Sequence, residues 1–413
     1  MAEPIIYEAG SPRATFVSFD QAMTSALAIA MTSPSSHNCQ PWAVARLVSN
    51  AARDHIATRI GALPTADQAA TETLILAVDR TREIAALPTH HTEMRLSCGL
   101  FWHLLHRALA AQGWVACHHM HPDPAQLAGI GLPATWVPLR LTHFRWHPEP
   151  TETLGEVRTL AMRRQTNRGP YEDGPIAPIL LDKLAENRTA AKRTRRGQRN
   201  RAGLPGVRNG TAQVDPTPQL HIRYLSSGPD LHRFAAFVAR HAERDFTHRA
   251  AWRETHSYLR HSEAEAAAKG DGFTLTHLFG PLSARQRLLR RLMFTPAAMA
   301  VLSVTSFPRT IAGQLAGLVL RTPAIVSVSV SPWENADFDM VDAGALLGDY
   351  WLRVTGAGLA MHPISVVVQH DDLRYELQTE FQLPGRVVFV ARLGRPTVRF
   401  LPAPRRPPAV LAL

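Results

Sequence analysis

Residues 34–42 read Pro34-Ser35-Ser36-His37-Asn38-Cys39-Gln40-Pro41-Trp42, PSSHNCQPW, and this stretch decides the reading of the chain. It places two hydroxyls, an imidazole and two carboxamides in one loop bracketed by prolines. Such a loop can aim several neutral donors and acceptors at a flat heteroaromatic ligand. The same residues also suit a capped turn, in which Ser and Asn satisfy nearby backbone groups and Trp42 packs inward. Chemistry alone leaves both readings open.

Working outward, residues 19–31 (FDQAMTSALAIAM) carry small and apolar positions at helical spacing. The helix stops at Thr32-Ser33-Pro34, because a residue before proline resists helical angles. Beyond the loop, AVARLV (43–48) alternates like a strand, and residues 67–84 have helical length with a mixed pattern. The clearest helix is 93–112, with Leu96, Leu100, Leu104 and Ala108 on one stripe and Gly113 as a stop. WVACHHM (114–120) then reads as a strand. A second unit opens near residue 150, with helices predicted at 152–164, 176–186, 230–242, 283–294 and 336–357. Strands are predicted at 323–331 and 386–394. Strands mixed with long helices point to an α+β or α/β fold.

The chain has 413 residues, 45% of them apolar and 19% charged, an ordinary globular balance. Mean hydropathy is −0.11 and no apolar run approaches 18 residues, so no membrane span or membrane partner is expected. The opening MAEPIIYEAGSPRATF has two acids before its first Arg and no apolar core, unlike a secretory signal. Three cysteines (Cys39, Cys98, Cys117) are too few for a disulfide framework or a four-thiolate zinc site, which gives a cytoplasmic reading. The net charge of +11 is local. Eight basic residues and no acid lie between Arg188 and Arg208, and removing their charges leaves +3. The segment 188–217 reads as an exposed basic insertion. It contains no aromatic residue, so base stacking is unsupported and nucleic acid is not an expected partner.

PSSHNCQPW is similar to the PSSxNxQPW motif of FMN-dependent nitroreductases. The wider layout resembles the Acg-type branch of that family, in which two nitroreductase-like lobes are fused in one chain. VDRTREIAALP, the 93–112 helix, RRQTNRGPY (163–171), GLAMHPI (358–364) and VARLGRP (390–396) follow in family order. The resemblance covers roughly 17–185 and 218–406. The basic insertion departs from it, and His37 departs from many nitroreductases, though the Acg-type branch tolerates it. The resemblance implies an α+β nitroreductase fold with lobes at 1–148 and 149–413, forming an intramolecular pseudo-dimer that acts as a monomer. It implies bound FMN, with Ser35, Ser36, Asn38 and Gln40 near the isoalloxazine or ribityl chain. Arg163, Arg164, Thr166 and Arg168, with Arg405 and Arg406, are implied at the phosphate. The implied activity is hydride transfer between NAD(P)H and a small organic substrate, or dehydrogenation of a biosynthetic intermediate. A non-catalytic FMN-storage or stress-response role is the alternative. PSSxNxQPW does not recur after residue 170, so one FMN per chain is expected.

The Arg strip has its own rationale, since planar guanidinium groups bind phosphate bidentately and Thr166 adds a hydroxyl. A solvated charged turn is the plainer reading of the same residues. Gly356 and Gly358 suit either close approach to a ligand or a helix end. Cys117-His118-His119-Met120-His121 invites a metal reading, but strand geometry splits these side chains between two faces. A surface strand edge and no metal is the expectation. No GxSxG elbow, GxGxxG fingerprint or P-loop is present. No dedicated catalytic acid or base can be named from sequence.

Overall fold

A computed structural model describes residues 15–60, 71–186, 219–331 and 340–413. The basic segment 188–217 lies outside the described residues, as do positions 336–339 of the helix expected from 336.

Two sheets organise the chain. The first has five strands in the order β11-β1-β2-β4-β3: β1 (Trp42–Arg46), β2 (Thr71–Asp79), β3 (Trp114–Met120), β4 (Trp136–Trp146) and β11 (Leu411–Ala412). All pairings are antiparallel except β11, which lies parallel to β1 with Ala45 opposite Leu411. The second sheet is antiparallel throughout, ordered β5-β8-β10-β9: β5 (Gln219–Leu225), β8 (Ala324–Ser331), β9 (Ala360–Pro363) and β10 (Arg386–Gly394). A short parallel pair joins β6 (Leu259–Arg260) and β7 (Phe273–Thr274).

The helices are α1 (Phe19–Ala30), α2 (Asn50–Ile60), α3 (His90–Ala110), α4 (Leu154–Arg163) and α5 (Pro178–Ala185). An excursion between β5 and β8 supplies α6 (Gly228–His241), α7 (Glu243–Thr247), α8 (Arg249–Ser257), α9 (Glu263–Lys269) and α10 (Leu275–Phe279). It continues through α11 (Ala284–Met293), α12 (Pro296–Leu302) and α13 (Phe307–Leu320). α14 (Met340–Gly356) and α15 (Asp371–Glu380) complete the set. The architecture is α+β with two lobes, as the sequence led us to expect.

Each sheet is covered on both faces. β2 sends Leu74, Leu76 and Val78 into the core beneath α1 and α3, while Ile75 packs with Ile56 of α2 on the other side. β8 likewise turns Val326, Val328 and Val330 towards α14, and Ile325 towards Phe234 and Phe237 of α6. Two-sided burial erases the polar alternation that marks a half-exposed strand. Of the helix expected over 67–84, residues 71–79 instead form the central strand β2, and 67–70 lie outside the described residues. β4 escaped the sequence reading for another reason. Its Pro138 would cost a ladder hydrogen bond, but the register slips between Leu76 and Ala77, so Arg140 and Pro138 are the successive partners and the proline sits at a bulge.

α3 and α14 cross at the centre. α3 contributes Met94, Cys98, Phe101 and Leu105 to the first core and Leu96 and Leu100 to the second. α14 reciprocates with Val341 and Leu352 in the first core and Leu347, Tyr350 and Trp351 in the second. Glycines permit the approach. A Cβ on Gly99 would stand 2.1 Å from the Val341 carbonyl oxygen, and one on Gly344 would stand 2.3 Å from that of Leu96. Backbone blocks both sites, so no rotamer change can relieve the clash.

Gly99→Ala is expected to destabilise the fold by about 1–3 kcal/mol, because overpacking the crossing outweighs the better helix propensity of Ala. Urea denaturation followed by circular dichroism measures it; an unchanged midpoint would contradict the crossing geometry.

Candidate active site between the lobes

The PSSHNCQPW loop leaves α1 and enters β1 through a single 3₁₀ turn, Ser36–Asn38. His37, Asn38 and Gln40 each have φ near 53°, a left-handed region that costs non-glycine residues energy. Hydrogen bonds hold them there. The Gln40 backbone N–H donates to Ser35 Oγ at 2.9 Å. The Asn38 amide donates to the carbonyls of Gly272 (2.9 Å) and Pro404 (2.8 Å). The Gln40 amide donates to Gly270 O at 2.8 Å, and its Oε1 accepts from the Arg406 backbone N–H at 3.1 Å. Asn38 and Gln40 thus tie the loop to the 270–272 turn and to the C-terminal tail. Their carboxamides are occupied by protein, and neither residue lines the cavity beside the loop.

The arginines take four separate positions. Arg163 ends α4 in an exposed position. Arg164 and Arg405 converge, both donating to Thr32 O, at 3.1 and 3.0 Å. Arg405 also donates to Asn38 Oδ1, and the Arg164 guanidinium lies 5.2 Å from the Trp351 ring centroid. Arg406 donates to the carbonyls of Gln40 (2.5 Å) and Trp42 (3.2 Å). Arg168 stands apart on the cavity wall with Thr166. None of Arg164, Arg168, Arg405 and Arg406 forms an ion pair among the described residues. Arg164 Nε and Nη1 and Arg406 Nε are buried there without acceptors. Burial pushes Arg164 down to about 9, with Arg405 beside it adding to the shift, and pushes Arg168, Arg405 and Arg406 down to about 10. Buried cationic donors without acceptors are costly, and an incoming anion would remove that cost.

A cavity of about 670 Å³ opens between the lobes. One wall is Ser35, Ser36 and His37 of the loop; another is Glu93, Leu96 and Ser97 on α3. Thr166 and Arg168, Trp351 of α14, Pro363 at the end of β9 and Phe389 of β10 close the second-lobe side. The excursion roofs it with Phe246, Trp252, Phe279 and Phe294. The sequence placed helices at 230–242 and 283–294 within this excursion but gave no signal that it would roof a cavity. Sequence reasoning also missed Glu93, a single acid in a first helical turn that reads as dipole complementation. Ser36 Oγ donates to it. His37 Nε2 lies 2.9 Å from Thr255 Oγ1, and burial, with His90 adding, depresses its pKa to about 4. Cys117, His118, His119 and Met120 fall on the exposed edge strand β3 with His121 just beyond it, and no group of three or more metal-ligating side chains occurs among the described residues. Cys39 is buried and its thiol is pushed up to about 12, which leaves it inert at neutral pH.

A two-lobed α+β protein with a PSS loop facing a cleft, beside buried arginines that form no ion pair among the described residues, has the make-up of a nitroreductase-type oxidoreductase. No family model matches the sequence. Over 395 residues, covering 94% of this chain and 92% of the relative, it is 30% identical to the probable NAD(P)H nitroreductase PigM of Serratia sp.. The chain belongs to the FMN-dependent nitroreductase family. Among solved structures, a nitroreductase-type protein of Anabaena variabilis aligns over 92% of this chain and 90% of its own, at 9% identity and a TM-score of 0.42. The NADPH:FMN oxidoreductase of Vibrio harveyi aligns over 48% of this chain and 89% of its own, at 17% identity and a TM-score of 0.27. No described helix is long and apolar enough to cross a membrane.

His37 generates a pH prediction. Its folded-state pKa of about 4 lies below the ordinary 6.5, so the unfolded chain takes up this proton first as pH falls. Stability from this group is complete above pH 6.5 and declines towards pH 4. Urea midpoints at pH 7 and pH 5 are expected to fall more in the wild type than in His37→Gln; equal falls would place the acid sensitivity elsewhere.

Proposed function

We propose that the protein is an FMN-dependent oxidoreductase holding one FMN per chain between its lobes, with NAD(P)H as electron donor for a small organic substrate. The observation that carries this reading is the set of buried guanidinium donors, Arg164 Nε and Nη1 and Arg406 Nε, that have no acceptor among the described residues. A phosphate monoester, carrying between one and two negative charges, fits such a set. Arg164, Arg405 and Arg406 hold that end. Ser35, Ser36, Thr166 and Arg168 face the ring system and ribityl chain from the cavity wall. Asn38 and Gln40, expected to touch the cofactor, keep the loop in its left-handed shape, and Arg163 stays in solvent.

FMN supplies hydride transfer when bound, and the protein orients it, excludes water beneath the aromatic roof and tunes its surroundings. Both lobes belong to one chain, so the composite site is complete without self-association, and a monomer follows. Three cysteines outside any disulfide suit a cytoplasmic setting. Dehydrogenation of a biosynthetic intermediate uses the same site in the opposite direction.

The test is an anaerobic visible spectrum of protein loaded with FMN, before and after NADPH and then NADH. A bound flavin band that bleaches with either supports the reading. A bound band that bleaches with neither favours FMN storage, and no bound flavin in folded protein removes the reading. Arg164→Ala is expected to weaken FMN binding by about 1.5–3 kcal/mol, roughly 10- to 150-fold, the usual range for a hydrogen bond to a charged group. Flavin fluorescence quenching reads that loss, and unchanged affinity would take Arg164 out of the phosphate site.

A further inference from the structure

Three carboxyl groups cluster where the PSSHNCQPW loop, the start of α3 and the roof helices meet. Two of them have imidazole partners within reach. Glu254 of α8 lies 2.9 Å from His90 Nδ1 and also accepts from the backbone N–H groups of Ala85 (2.5 Å) and Ala86 (3.2 Å). Asp245 of α7 lies 2.9 Å from His370 Nε2. The third, Glu93, makes no ion pair among the described residues. It is held by two neutral donors, Ser36 Oγ from the loop and the Gln369 side chain from the second lobe.

The imidazole nearest on its own helix, His90, is turned to Glu254 and does not pair with Glu93. His37 on the facing loop is kept neutral by burial. Asp245 adds a like charge that opposes ionisation of Glu93. Burial is the largest influence; His90, Ser36 and Gln369 pull the other way, and the net effect holds the Glu93 carboxyl above its ordinary value. The side chain meanwhile forms part of the cavity wall, between Ser36 and Ser97. An acid placed only to cap the helix would sit in solvent; one placed only for stability would face a cation. Glu93 does neither.

We propose that Glu93 is the catalytic residue that exchanges a proton with the substrate in the inter-lobe cavity. The proposal rests on the reading of that cavity as the redox site. Reduction of a substrate takes up two electrons and two hydrogens. NAD(P)H provides both electrons and one hydrogen as a hydride equivalent, and the second hydrogen arrives as a proton. Glu93 delivers that proton. Its O–H bond breaks, an O–H or N–H bond forms on the substrate, and the carboxylate left behind is reprotonated from solvent. In the oxidative direction the carboxylate takes the proton as the substrate loses hydride. Ser36 and Gln369 keep the carboxyl aimed at the cavity in both protonation states, because each can donate to it when it is ionised.

Glu93→Gln and Glu93→Asp, both loaded with FMN as full chains, test this. The reduced protein is mixed with menadione and reoxidation is followed by stopped flow across pH 5–9. The wild-type rate is expected to fall as pH rises through one ionisation. E93Q is expected to bind FMN as the wild type does, to lose about 10²-fold or more in rate with the menadione KM little changed, and to lose the pH dependence. E93D is expected to recover the pH dependence at a reduced rate. Infrared difference spectra of FMN-free protein between low and high pH provide a readout independent of activity. A protonated-carboxyl band that disappears with rising pH should be present in the wild type and absent from E93Q. An E93Q variant with the wild-type rate and pH profile overturns the proposal and leaves the FMN reading intact. Loss of FMN binding in E93Q makes Glu93 a cofactor-holding group and also overturns it. Failure of the wild type to take up FMN removes the underlying reading as well.

Discussion

The close crossing of α3 and α14 is the constraint on which the rest of the structure depends. Because Gly99 and Gly344 bring backbone against backbone, each helix is buried on nearly every side and belongs to both cores at once. That contact joins the two cores, and the cleft is lined by both helices, Glu93, Leu96, Ser97 and Leu100 from α3 and Leu347 and Trp351 from α14. Arg140 of β4 reinforces the junction by reaching Asp342 at the start of α14, at 3.1 Å. Two lobes joined through a shared helical spine fix the depth of the cavity in a way that a hinge between separate cores would not.

A second constraint is the strained loop. Three non-glycine residues in left-handed conformation persist only because the surroundings over-determine them. The surroundings come from far away in sequence: the 270–272 turn within the roof excursion and the 404–406 tail. The tail continues into β11, which adds to the first sheet beside β1, the strand that the loop itself enters. Loop, roof and tail are therefore mutually dependent. A change in any one of them is felt at the cavity wall formed by Ser35, Ser36 and His37.

The sequence announced much of this, and the omissions have physical causes. Amphipathic helices such as α3 and α6 and the apolar strands β8 and β10 stand where their periodicity put them. β2 was misread because both of its faces are buried, and β4 went unseen because its proline sits at a bulge. PSSHNCQPW was legible as a polar loop after a helix, and Arg164, Arg405 and Arg406 as a basic set. What the chain could not reveal was which polar groups would be used up internally. Asn38 and Gln40 look like ligand contacts until their carboxamides are found paired with backbone 230 or more residues away. Glu93 stayed hidden because an acid in a first helical turn looks like dipole complementation, and only the fold shows that it lies on the cavity wall without an ion pair among the described residues.

The central claim is that one chain assembles one complete FMN site between its own lobes. Sedimentation velocity of FMN-loaded protein, recorded at both protein and flavin wavelengths, tests it most directly. The account predicts that the flavin signal travels with a single 45.5 kDa chain at one FMN per chain. Flavin confined to a dimeric species, or bound at two per chain, would contradict it.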